Sequence, residues 1–113
     1  MSWVTAGAPA PLPGYARVVC KRHVVGPYEL DGTERAASWE DVLETAEAVA
    51  SIVRPAKKLN HEIHGNTLPH LHAHVYSRFP GDSFEGGPID GGSRTYAWSE
   101  DQPESLRERL AGG

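Results

Sequence analysis

The stretch His70-Leu71-His72-Ala73-His74-Val75-Tyr76 decides how the rest of the chain is read. Successive side chains of an extended strand point to opposite faces. A strand over residues 70–78 therefore sets His70, His72 and His74 in a row on one face. Leu71, Ala73 and Val75 turn to the other, where a core would take them. Five of the six histidines lie between His61 and His74. A hydrophobic core has no use for three imidazoles in a row, so this strand carries a site.

Working outward, turn residues Gly65-Asn66-Thr67 precede the histidine strand. Before them, residues 57–64 read as a strand with Leu59, His61 and Ile63 on one face and Lys58, Asn60 and Glu62 on the other. Further upstream a helix opens at Asp31, where Asp31 and Glu34 fit a capping box. Leu43, Ala46, Ala50 and Val53 recur at helical spacing, with Val42 and Val49 beside them. Glu40, Asp41, Glu44 and Glu47 take the wet face, and Pro55 ends the helix. Residues 15–23 read as a strand with Val18, Cys20 and Arg22 on one face and Arg17, Val19, Lys21 and His23 on the other. Residues 2–5 form a short edge strand, followed by an Ala/Pro loop. Residues 82–93, rich in Gly, Pro and Asp, form a loop. Residues 102–110 form a last helix with Pro103 in its first turn. Strands joined by short connections around one long helix indicate an α+β domain. The chain of 113 residues is read as one domain, with a strand and loop over 1–14 and a Gly-rich loop and helix over 83–113.

Composition narrows the function. Acidic residues number 15 against 11 basic ones, for a net charge of −4, and no Lys/Arg-rich run occurs. A broad duplex nucleic-acid surface is excluded, whereas a small anion held by histidines and backbone amides is not. No apolar run approaches the ~20 residues of a membrane helix, and the N-terminus lacks a signal-peptide pattern. Cys20 is the single cysteine. It precludes an internal disulfide and a Cys-rich zinc site, and it makes the cytoplasm the expected compartment.

Alternating histidines admit three chemistries. Two at i and i+2 can ligate one metal ion, but the outer pair of three starts ~13 Å apart on a strand. Surface histidines or a tag are a second reading, and the apolar alternates and the internal position speak against both. The third is nucleophilic catalysis at phosphorus. A neutral imidazole attacks, a hydrogen bond on its far nitrogen fixes the tautomer, and fixed donors meet the phosphoryl charge. Among single residues, His61 and His64 read as solvated, Arg78 as a phosphate contact or a salt bridge, and Cys20 as a buried hydrophobe. Trp3, Trp39 and Trp98 read as packing residues.

The run Gly65-Asn66-Thr67-Leu68-Pro69-His70-Leu71-His72-Ala73-His74-Val75-Tyr76 resembles the signature of the histidine triad (HIT) superfamily, His-φ-His-φ-His-φ-φ with φ apolar. Lys21-Arg22-His23-Val24 resembles the family's upstream strand end. The stretch Lys58-Leu59-Asn60-His61-Glu62-Ile63-His64-Gly65-Asn66, with Arg78-Phe79-Pro80-Gly81-Asp82, looks most like bacterial members labelled diadenosine tetraphosphate hydrolases. The resemblance implies a curved antiparallel sheet with one long helix packed on it and a short C-terminal helix, commonly as a homodimer whose sheets join. It implies hydrolysis or transfer at the α-phosphorus of a dinucleoside polyphosphate, nucleoside phosphoramidate or aminoacyl-adenylate.

By the same resemblance His72 is the nucleophile that forms a nucleotidyl-histidine, and His74 contacts phosphate or the leaving group. His70 links the strand to neighbouring backbone, and His23 lies close to the phosphate. Gly65, Asn66 and Thr67 would bind substrate, Asn66 through its amide, and Asn60 would face phosphate or ribose. No tightly bound cofactor or protein metal site is implied, and any magnesium would travel with the substrate phosphates. Many members open with an extra strand and helix that help build the base pocket; here fourteen residues precede Tyr15. The other readings left open are a nucleotide-binding module with little turnover and a metal-dependent enzyme using His-x-His ligands.

Overall fold

The histidine strand lies inside an antiparallel sheet. In a computed structural model describing residues 1–6, 14–53, 58–64, 68–89 and 102–112, the strands are β1 (Ser2–Ala6), β2 (Ala16–Cys20), β3 (Lys58–Glu62) and β4 (His72–Arg78). Their order is β1-β2-β4-β3, with every neighbouring pair antiparallel. Helix α1 (Gly32–Ile52) separates β2 from β3, and α2 (Gln102–Gly112) follows β4. This is the α+β architecture that the sequence pattern predicts.

Alternation in β2 and β4 decides which face α1 covers. Ala16, Val18, Ala73 and Val75 are buried against Val42, Ala46, Val49 and Val53, with Leu106 of α2 completing the cluster. The opposite, outer face of the sheet receives His72 and His74. A second cluster joins Cys20, Val24, Leu30 and Leu71 at the end of the sheet where α1 begins.

Helix α1 starts where its cap dictates. The Asp31 carboxylate accepts from the Glu34 amide at 2.8 Å, and the Glu34 carboxylate accepts from the Asp31 amide at 3.0 Å. Two first-turn donors are thereby satisfied, so the later start at Ser38 goes unused. The buried stripe is Val42, Thr45, Ala46, Val49 and Val53, with Ala48 beside it. Leu43 and Ala50, expected at its centre, are only partly buried. Thr45 takes a core position because its hydroxyl donates to the Asp41 carbonyl at 2.7 Å and is not itself left unpaired. The helix ends at Ile52, and Pro55 lies outside the described residues.

Several strands are shorter than their sequence pattern. β4 begins at His72 rather than His70, because its partner β2 stops at Cys20 and the ladder starts at the Val19–His72 pair. Leu71 still donates to the Val24 carbonyl at 2.7 Å and accepts from Cys20 at 3.1 Å. β2 stops at Cys20, beyond which the chain turns toward a short 3-10 segment, Pro27–Glu29. The Glu29 carboxylate accepts from the amides of Val25 and Gly26, and Arg35 donates to the Leu30 and Tyr28 carbonyls. Gly14, ahead of β2, has φ +79°, and a side chain there would meet Val53 at 2.8 Å and Ser77 at 2.9 Å. Among the described residues no helix is long and apolar enough to cross a membrane.

Candidate active site

Strand register sets the outer face as a grid. His72 faces Val19 on one side, and Val19 in turn faces Trp3. One step along, His74 lies between Arg17 of β2 and Glu62 of β3, and Arg17 faces Thr5. Beyond that row, Tyr76 faces Asn60. The edge-on rings of His72 and His74 have centroids 4.8 Å apart.

Backbone carbonyls fix two tautomers. His72 Nδ1 lies 2.8 Å from the His70 carbonyl, which can only accept. Nδ1 therefore carries the hydrogen, and the neutral ring keeps its lone pair on Nε2. His72 itself is enclosed, at 8% exposure. His70 Nε2 lies 2.6 Å from the Cys20 carbonyl, so that nitrogen is protonated as well. The Nδ1 of neutral His70 then accepts from His23 Nδ1 at 2.9 Å. His70 thus connects β4 to β2, and His23, an exposed residue, meets the site through His70.

His74 is held on its other flank. Its Nδ1 lies 2.7 Å from the Tyr15 hydroxyl, and Tyr15 stacks on Tyr76. Burial lowers the His74 pKa to about 4, assisted by the neighbouring His72 and His64; Glu62 opposes the shift and Arg17 adds to it. The ring is therefore neutral at pH 7.

Asn60 shares the outer face and donates to the Glu62 carboxylate at 3.3 Å. The other Glu62 oxygen is 3.0 Å from Nε2 of His64, which is exposed as expected of a solvated residue. Its ring centroid is 6.1 Å from that of His74. His61 is exposed on the helix side of the sheet, near Trp39. Gly65, Asn66 and Thr67 lie outside the described residues, as does Trp98.

Arg78 is committed elsewhere. Its guanidinium grips Asp82 at 2.9 and 3.1 Å, and Asp82 also accepts from the amides of Phe79 and Phe84. Arg78 lowers the Asp82 pKa to about 2, helped by those amides. Trp3 and Trp39 are 61% and 51% exposed, so the packing role expected for both is corrected. Lys21 Nζ sits 4.2 Å over the Trp3 ring. Cys20 is buried, as a small hydrophobe would be. A cleft of about 110 Å³ lined by Trp39, Ile63, Leu71 and Ala73 opens on the helix side of the sheet. Among the described residues no group of three His, Cys, Asp or Glu side chains could hold a metal ion.

Sequence reading passes over Tyr15, Arg17 and Glu62. None belongs to a motif, and their places beside His74 follow from strand register and ring contacts. Glu62 alone had a faint signal, as a carboxylate alternating with Asn60.

An antiparallel sheet with a capped helix on one face and alternating imidazoles on the other defines a histidine triad fold. The chain is similar to a histidine triad protein from Bradyrhizobium japonicum, with 25% identity over 97% of this chain and 84% of that one, at TM-score 0.79. It is also similar to one from Sinorhizobium meliloti, at 24% identity over 87% and 73% of the two chains and TM-score 0.70. A third, from Marinobacter aquaeolei, is 23% identical over 87% and 72%, at TM-score 0.69. No protein-family model and no curated protein matches the chain. The chain thus has the fold of histidine triad proteins and carries the alternating His70, His72 and His74 of their signature.

Proposed function

We propose that the protein is a nucleotide hydrolase or nucleotidyl transferase acting at an α-phosphorus through His72, akin to bacterial diadenosine tetraphosphate hydrolase-like members. The observation that carries this reading is the 2.8 Å contact between His72 Nδ1 and the His70 carbonyl. It leaves Nε2 as the free lone pair of a ring on the outer face. Nε2 attacks phosphorus, a P–N bond forms, and the leaving group departs with the electrons of its broken bond. The His70 carbonyl steadies the positive charge that the imidazole then carries. Water attacks the same phosphorus next and gives up a proton, which balances the one the leaving group takes up; the P–N bond breaks, and the lone pair returns to Nε2. With the Tyr15 hydroxyl, 2.7 Å away, donating to His74 Nδ1, neutral His74 would offer an Nε2–H to a phosphoryl oxygen.

His72→Ala, assayed on nucleoside phosphoramidates and dinucleoside polyphosphates, is expected to lose at least ~10³-fold in kcat. Added imidazole restores turnover to His72→Gly. Full activity in His72→Ala eliminates the mechanism.

The reading extends to a cytoplasmic homodimer with no tightly bound cofactor, any magnesium arriving with the substrate phosphates. β3 is a sheet edge, and the exposed Ile63 and Trp39 adjoin it as apolar surface for a second copy.

A further inference from the structure

Among the described residues Arg17 is a cation left unpaired beside the triad. It stands in β2 between Thr5 and His74, in register with both. Four other arginines have partners: Arg22 binds Glu34, Arg35 binds two carbonyls, Arg78 binds Asp82 and Arg107 binds Glu104, whereas Arg109, which has none among the described residues, is exposed to water on α2. Arg17 has none among the described residues, and its Nε is shielded from solvent without a hydrogen bond. A donor withdrawn from water and left unpaired is costly, and one kept in a native fold calls for a reason.

The charge around it supplies one. On the outer face β1 and β2 contribute Trp3, Thr5, Arg17 and Val19, none of them acidic, with Lys21 lying over Trp3. The carboxylate of this face, Glu62, lies across His74 on β3 and is engaged by His64 and Asn60. The triad therefore has a cationic flank and an acidic flank. A guanidinium offers Nε–H and Nη–H in one plane, the geometry that takes two oxygens of a phosphoryl group.

We propose that Arg17 receives a second phosphoryl group of the nucleotide, the first lying at His72 and His74. The inference rests on the nucleotide reading of the site. The second group either extends the α-phosphate or sits on the ribose, and the chemistry of recognition is the same.

Binding to the wild-type protein, measured by calorimetry, separates these cases with AMP, α,β-methylene-ADP and adenosine 3′,5′-bisphosphate as probes. One bisphosphate is expected to bind about tenfold more tightly than AMP, and the tighter one identifies the position of the second group. Arg17→Gln is expected to bring that probe to the AMP level while AMP affinity changes less than about twofold. A preference that survives in Arg17→Gln, or that is missing from the wild type, overturns the proposal. If Arg17→Gln does not fold, the wild-type Arg17 Hε resonance decides: it shifts with the bisphosphate and not with AMP, or the proposal fails. No arm reads turnover. A protein without hydrolase activity that keeps the preference retires the catalytic reading and leaves Arg17 as receptor. His72-dependent turnover without the preference retires Arg17 alone.

Discussion

His74 stays neutral in the folded chain down to about pH 4, whereas an unfolded chain protonates the same imidazole near pH 6.5. Between those values the unfolded state binds more protons, so stability falls as pH is lowered through that window. Above about 6.5 the contribution is complete, and below about 4 it is gone. Asp82 acts in a second window. Its carboxyl is held at about 2 against an ordinary 3.8, so its contribution is present above about 4 and lost as pH falls through about 2. Thermal melts from pH 7 to pH 2 are expected to show two declines. His74→Asn should flatten the upper one and Asp82→Asn the lower. An unchanged upper slope in His74→Asn would remove the buried neutral imidazole as its cause. Alternation alone predicted a row of three imidazoles; His72 and His74 form it, while His70 lies ahead of β4 and turns its ring to the Cys20 carbonyl. Tyr15 and Arg17 were not legible, since nothing along the chain says which residue of one strand meets which of another.

Helix α1 depends on its first turn. The reciprocal Asp31–Glu34 bonds satisfy two amides that would otherwise lack partners. Asp31→Ala is expected to cost about 1 kcal/mol, read as a Tm lower by about 4 °C with an unchanged m-value in urea. A variant as stable as the wild type would show that tertiary packing alone holds this end. The cap was legible because its residues are three apart and adjacent in space. The buried stripe was less so: Thr45 counts as polar in a periodicity argument, yet its bond to the Asp41 carbonyl lets it sit in the core in place of Leu43. The start of β4 was set two residues too early, since the pattern along one strand cannot register where its partner β2 ends.

At the scale of the molecule, β3 leaves a strand edge beside exposed Ile63 and Trp39. Sedimentation of the 12.3 kDa chain at micromolar concentration is expected to give twice the monomer mass, and Ile63→Lys to return it to monomer. A wild-type monomer under those conditions overturns the dimer. Local chemistry was decided by the sequence: the capped helix, the alternating imidazoles and the apolar residues set between them each depend on neighbours within a few positions. Tertiary structure alone decided the electrostatics of the site. Residues 17, 62 and 74 are far apart along the chain, and the antiparallel pairing of β2 and β3 against β4 is what sets a cation on one side of His74 and a carboxylate on the other. A shift of one residue in either pairing would send Arg17 or Glu62 to the helix side, because side chains alternate between faces at every step.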